Sequence, residues 1–252
     1  MSSNLNNDAT YRDTAYRETA YQDTLYLGSQ SQPRQELLKL AGIKFKVLEH
    51  KSSECVIEPS DDFEKYVIAI ACDKMSHLDF THLDVKHLDA KHFAGHQDAE
   101  HYRSSKIFVL TADTLIKTDK TNQILGKPKN LEHAKEMLRS IREQSVTVLT
   151  GCCLQTVILN SFQDPWINKS CNWTIEKREC WATGAQVEFC VDEDSLDFYF
   201  AKEPWALHAC GGGVIEGVGQ AFLKRVNGSY TSVLGLPLFE LRQKLRELNF
   251  KF

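Results

Sequence analysis

No stretch of the chain approaches about 18 consecutive apolar residues, which excludes a membrane-spanning helix. The opening MSSNLNNDAT has no apolar core of the kind a secretory signal needs. Positive charge is not in excess: 30 Lys and Arg stand against 34 Asp and Glu, a formal net charge of -4. That balance gives no electrostatic basis for binding nucleic acid, which requires a basic face. Any phosphate must therefore be held by a local cluster of cations. The eight cysteines include no CxxC pair, and Cys152 and Cys153 are adjacent within an apolar run. They read as free core thiols in a reducing cytoplasm rather than as a disulfide scaffold or zinc site. No GxSxG elbow occurs and no cysteine has a nucleophile's motif context, so nothing signals Ser/His/Asp or Cys/His catalysis.

What is present is ordinary globular material, 42% hydrophobic and 25% charged, over a length suited to one large domain or two small ones. Two five-residue repeats interrupt it. The first places Tyr11, Tyr16, Tyr21 and Tyr26 five apart, and the second runs HLDFTHLDVKHLDAKH from His77 to His92. A period of five matches neither 3.6 nor 2.0 and builds no buried stripe, so both read as low-complexity expansions. The expected organisation is a low-complexity extension over 1–24 and one domain over 25–252, with a repeat insertion at about 76–103. Between the repeats, strand and helix patterns alternate. LYLGS is a strand, and RQELLKLAG is a helix stopped by Gly42. FKVLE is another strand, and Ser60-Asp61-Asp62 opens a helix whose apolar stripe is Phe63, Val67 and Ile70. KIFVLTADTLI reads as a buried central strand, and Asn130 opens a helix with Ala134, Met137, Leu138 and Ile141 inward. SVTVLTGCCLQTVIL and CNWTIEKRECWA read as strands of a mixed or antiparallel sheet, and Asn227-Gly228 as a hairpin turn. An amphipathic helix after Pro237 closes an α/β fold.

Four features have chemical potential. Gly28 to Arg34 is a polar turn entering a helix; its backbone N–H groups, Ser29, Ser31 and Arg34 suit phosphate oxygens, although on local pattern alone an ordinary cap by Ser31, a common feature, is the favoured reading. Asp113 follows the apolar strand, where α/β folds open their ligand crevice; a simple turn residue is the alternative. Lys74 falls eleven residues after Phe63, continuing the buried stripe, and an inward lysine needs an anion. Lys127 sits in the stiff turn LGKP, where taken alone it reads as a solvated charge. The glycine-rich CGGGVIEGVGQ lacks the strand-to-helix context of a dinucleotide fingerprint and reads equally as a bulged strand; Glu216 is the residue there able to read a base.

Three segments, in order, resemble the signatures of the Maf family. LGSQSQPRQELLKLAGIKF is similar to S-x-S-P-R-R-x-E-L-L, TADTLIKTD…ILGKPKNLEHAKEMLRSI to a G-A-D-T and G-K-P block, and GGGVIEGVGQAFLKRVNGSYTSVLGLPL to a block ending V-x-G-L-P. The resemblance implies a mixed-sheet fold with a central cleft, related to the inosine triphosphate pyrophosphatases. It implies hydrolysis of a nucleoside triphosphate to the monophosphate and pyrophosphate in the cytoplasm, often by a homodimer, without nucleic acid or membrane partners. By motif, Asp113 is implied as the catalytic carboxylate, and with Glu54 as the holder of a divalent cation (Mg, Mn or Co). Ser29, Ser31, Arg34, Lys74 and Lys127 are implied for the phosphates. Pro33 replaces the first arginine of P-R-R, removing one potential contact, and Ser53 precedes Glu54 where a second carboxylate is usual. Specificity positions are mixed. Thr114 resembles the branch that cleaves dTTP and UTP, whereas Glu216 matches the branch acting on 7-methyl-GTP, since a carboxylate accepts two hydrogen bonds from a guanine edge. The expectation leans to 7-methyl-GTP. The alternatives are a dTTP/UTP pyrophosphatase and a nucleotide-binding regulator without catalysis.

Overall fold

The computed structural model describes residues 22–50, 57, 60–80, 106–142, 144–159 and 173–252. Tyr11, Tyr16 and Tyr21, the histidine repeat from His82 onward and Glu54 lie outside the described residues. The described elements are β1 (Leu25–Leu27), α1 (Gln32–Leu40), β2 (Phe45–Val47), α2 (Phe63–Ser76), β3 (Lys106–Thr118), β4 (Ile124–Leu125) and α3 (Leu131–Ile141). They continue with β5 (Val146–Leu159), β6 (Trp173–Phe189), α4 (Leu196–Lys202), β7 (Leu223–Gly228), α5 (Tyr230–Val233) and α6 (Leu238–Glu247). Among the described residues, no helix is long and apolar enough to cross a membrane.

The strands form one mixed sheet in the order β2-β1-β3-β5-β6-β7, with β4 also paired to β3. β1 lies parallel to β2 and β3, while β3, β5, β6 and β7 follow antiparallel. The period of two along β3 decides which side chain meets which helix. Phe108 and Leu110 join Leu25 and Leu27 against Leu37 and Leu38 of α1 and Leu241 and Leu245 of α6. Ile107 and Val109 join Tyr26 against Ala71 and Met75 of α2 on the other face. Both faces are covered, which is why this strand reads as a continuous apolar run. Helix starts follow chemistry: Asp62 caps α2 by accepting from the Lys65 N–H, and Asn130 caps α3 by accepting from the His133 N–H.

Three local expectations need correction. Asp113 does not follow β3 but sits within it, because β5 pairs with β3 from Lys106 through Thr118 and continues the strand well past the carboxylate. The stripe of α2 is as expected, the half-buried Ile70 packing with Phe63 and Val67, and Ala71, Lys74 and Met75 continue it. Asn227-Gly228 is no hairpin turn. Both residues are still paired, to Gln186 and Ala185, and Ser229 then caps a helix where a returning strand was expected. The glycine-rich stretch forms two 3-10 turns, Cys210–Gly212 and Gly217–Phe222, rather than a bulged strand.

Candidate active site

On one edge of β3, the parallel partner β1 ends opposite Leu110 and the antiparallel β4 begins opposite Ile116. The intervening edge carries Asp113 and Thr114, which the pleat turns to opposite faces. A cation reaches each of them from a different helix. Lys74 of α2 donates from Nζ to Asp113 Oδ1 at 2.5 Å, with the two side chains 11% and 17% exposed. Arg34 of α1 donates from one terminal nitrogen to Thr114 Oγ1 at 3.1 Å and from the other to Ser29 Oγ at 3.0 Å. Its Nε donates to the Gly235 carbonyl at 2.8 Å. Among the described residues, the buried cationic side chains are these two, Arg34 and Lys74.

Arg34 is held entirely by neutral acceptors. Three of its five N–H donors are used, none of them on a carboxylate among the described residues. A buried guanidinium without a counter-charge is costly unless an anion completes it, and its planar fork matches a phosphate. Ser29 fixes the turn as well, accepting from the Ser31 N–H at 3.3 Å. Ser31 stands at the N-cap of α1, but its side chain makes no capping bond, so the ordinary-cap explanation of this turn does not hold. Pro33, within the first turn of α1, brings no N–H and no polar group to the place the resemblance assigns to arginine.

Lys127 is exposed in its turn, which is tied to the glycine-rich loop by the Gly211 N–H donating to the Gly126 carbonyl at 2.9 Å. Cys210, the preceding residue, donates its thiol to the Thr114 carbonyl at 2.8 Å. Burial pushes that thiol up to about 11; Asp113 adds to the shift, while Lys127, Arg34 and Lys74 oppose it. One sulfur thus sits within the fields of four residues that lie far apart in the sequence. Beside the Lys127 turn lies a hollow of about 470 Å³ lined by Tyr66, Leu115, Asn122, Ile124 and Gly126.

Glu216 stands apart from this group. It lies half-buried, its carboxylate accepting from the Ile215 N–H at 3.1 Å. Burial raises its pKa above the ordinary glutamate value, and the Glu203 charge adds to the rise. Two residues of α4 and its end hold the surrounding loop. Tyr199 accepts from the Val214 N–H and donates to the Gly212 carbonyl, and Glu203 accepts from the Val218 N–H.

Sequence reasoning missed the support behind Thr114. Thr150, opposite it on β5, shares a hydroxyl contact with it at 2.8 Å and donates to the Ser232 carbonyl at 2.6 Å. Nothing local marks Thr150. Gly235, which receives Arg34, lies in the VLGLP segment, but its role depends on a contact 201 residues away.

A family model described as Maf-like protein matches residues 24–248. Relatives include a dTTP/UTP pyrophosphatase of Acholeplasma laidlawii, 30% identical over 225 residues, covering 88% of this chain and 95% of the relative. Another is a dTTP/UTP pyrophosphatase of Fusobacterium nucleatum, 28% identical over 226 residues, covering 89% and 95%. A third, also named dTTP/UTP pyrophosphatase, comes from Bacillus cytotoxicus, 30% identical over 225 residues, covering 88% and 94%.

Proposed function

This chain belongs to the Maf family, and on that premise we propose that it hydrolyses dTTP and UTP to the monophosphate and pyrophosphate. The nucleotide pyrophosphatase activity follows from family and relatives together; the choice of base is our reading. The observation that supports it best is the convergence on β3. A carboxylate with one lysine stands beside a buried arginine that has two donors to spare. Hydrolysis at the α-phosphorus needs charge neutralisation and a base for the attacking water. In this reading, Arg34, Ser29, Ser31 and Lys127 hold phosphate oxygens. Asp113 accepts the water proton as the new P–O bond forms, and the bond to the leaving pyrophosphate breaks. Lys74 holds the Asp113 carboxylate in place.

The donor chemistry suits a hard divalent cation: Asp113 Oδ1 is engaged by Lys74, and Oδ2 is an oxygen of the kind such ions prefer. Asp113, together with Glu54 from outside the described residues, would hold Mg, Mn or Co, which supplies Lewis-acid polarisation of the phosphates.

The expected preference for 7-methyl-GTP finds no support among the relatives, whose names are those of dTTP/UTP pyrophosphatases. Two features of this chain favour the pyrimidine reading. Thr114 is bound directly into the Arg34 network. Glu216 has one carboxylate oxygen engaged by the Ile215 N–H, and the other is an acceptor for a single base donor such as the N3–H of thymine or uracil.

The test is pyrophosphate release from dTTP, UTP, CTP, GTP and 7-methyl-GTP with each metal, for the wild type and Asp113→Asn. Turnover of dTTP and UTP, reduced on the order of 100-fold or more in the variant, is expected for loss of a general base. Binding without turnover by the wild type sinks the catalytic reading in favour of a regulator, and turnover confined to 7-methyl-GTP reverses the base assignment.

A further inference from the structure

Cys72 on α2, Cys153 on β5 and Cys180 on β6 bring their Sγ atoms within 4.8 Å of one another. Cys153 and Cys180 are cross-strand partners, and Cys72 reaches them from above the sheet. The Thr111 hydroxyl holds α2 in place there, donating to the Ala71 carbonyl at 2.6 Å, one residue from Cys72. Cys72 and Cys180 have their sulfurs 3.2 Å apart. Exposure is graded across the three. Cys153 is fully buried, Cys72 is half-buried and Cys180 is exposed, so the group is closed on the protein side and open to solvent on the other.

We propose that Cys72, Cys153 and Cys180 bind a thiophilic divalent cation of the zinc type, at a site separate from the nucleotide site. Zinc bonds sulfur at about 2.3 Å, and tetrahedral angles then set neighbouring sulfurs roughly 3.8 Å apart. The observed spacing, from 3.2 Å to within 4.8 Å, brackets that value. Three thiolates leave the fourth position toward solvent on the Cys180 side. Each thiol gives up a proton on binding, so three thiolates and one dication total one negative charge. A cation that offsets this charge is already fixed nearby. Arg178 donates from Nε and a terminal nitrogen to Gln155 Oε1 at 3.0 and 2.7 Å, and its field reaches Cys72. A disulfide explains less: it engages two sulfurs, must shorten 3.2 Å to about 2.05 Å and leaves the third without a role.

The experiment titrates the reduced, metal-stripped full chain with Co²⁺ and then Zn²⁺. Expected are sulfur-to-cobalt charge-transfer bands in the near ultraviolet with tetrahedral visible bands, saturating at one equivalent and bleached by Zn²⁺. Cys180→Ser, at an exposed position that leaves the fold intact, should weaken Co²⁺ binding at least about tenfold and dim the charge-transfer band. Asp113→Asn should leave the bands unchanged, because the oxygen-donor site produces none of them. The proposal is overturned if the wild type shows no sulfur charge transfer, or if the bands survive unaltered in Cys180→Ser. It is also overturned if peptide mapping finds a Cys72–Cys180 disulfide in air while the reduced protein takes up no metal.

Discussion

At the scale of the residue, the site depends on side chains whose charge is out of keeping with their burial. Lys74 has its carboxylate in Asp113, whereas Arg34 has only neutral acceptors among the described residues, the asymmetry on which its proposed phosphate role rests. Glu216 is the other case, a half-buried carboxyl whose pKa burial raises above the ordinary glutamate value. The sign follows from the direction of that shift. Its folded pKa lies above the unfolded value, so the associated stability is present at low pH and is lost as pH rises through the folded pKa. Glu216→Gln removes this dependence. The variant's stability relative to the wild type, read from urea midpoints, should therefore rise as pH climbs from below the ordinary glutamate pKa through the folded one. Equal pH slopes for both proteins would show that the fold does not raise the Glu216 pKa.

At the scale of the element, α2 is the part on which the geometry turns, because it lies against β3 and β5 at very close range. Gly151 makes that approach feasible: a Cβ built there falls 2.4 Å from the Val67 carbonyl oxygen, well inside any tolerated contact. Gly151 is also the cross-strand partner of Asp113, so pushing α2 outward separates Lys74 from its carboxylate. Gly151→Ala is expected to cost about 1–3 kcal/mol from overpacking and to reduce kcat more than it raises KM. Thermal melting and steady-state kinetics on the same preparation check both parts. A variant with wild-type melting and wild-type kcat means that the helix position does not matter to the chemistry. The glycine-rich loop is built on a different principle. Tyr199 and Glu203 hold it through the Val214 and Val218 N–H groups in place of a strand ladder.

At the scale of the whole molecule, the two ends of the described chain close on each other. Asp23 and Lys251 exchange backbone and side-chain hydrogen bonds, and Phe250 packs edge-on against Phe108 with centroids 5.0 Å apart. Phe108 lies on β3 five residues before Asp113, so this contact braces the strand that carries the site. Deleting residues 249–252 removes the buried Phe250 and should destabilise the fold by roughly 3–5 kcal/mol, as for a large core truncation. A lowered urea midpoint at unchanged m-value is the expected reading; an unchanged midpoint would show that the terminal segment is not part of the cooperative unit.

Much of this was already written in local patterns. Helical spacing marked Ala134, Met137, Leu138 and Ile141 as one face and turned Lys74 inward, because a 3.6-residue period specifies direction without reference to partners. A run with both alternating sets apolar marked β3 as buried, and three ordered blocks marked the family. Three things could not be read there. Asp113 sits inside its strand rather than after it, because β5 extends the ladder beyond the apolar run. Thr150 and Gly235 support Thr114 and Arg34 through contacts set by register and long-range closure. Cys72, Cys153 and Cys180 have no motif spacing, yet cross-strand pairing and the seating of α2 place their sulfurs together. Sequence alone determined which faces are buried and which residue types can do the chemistry, since periodicity and side-chain character are local properties. Only the tertiary structure decided which of those residues meet, because strand register and helix docking are settled by packing between segments that carry no local record of one another.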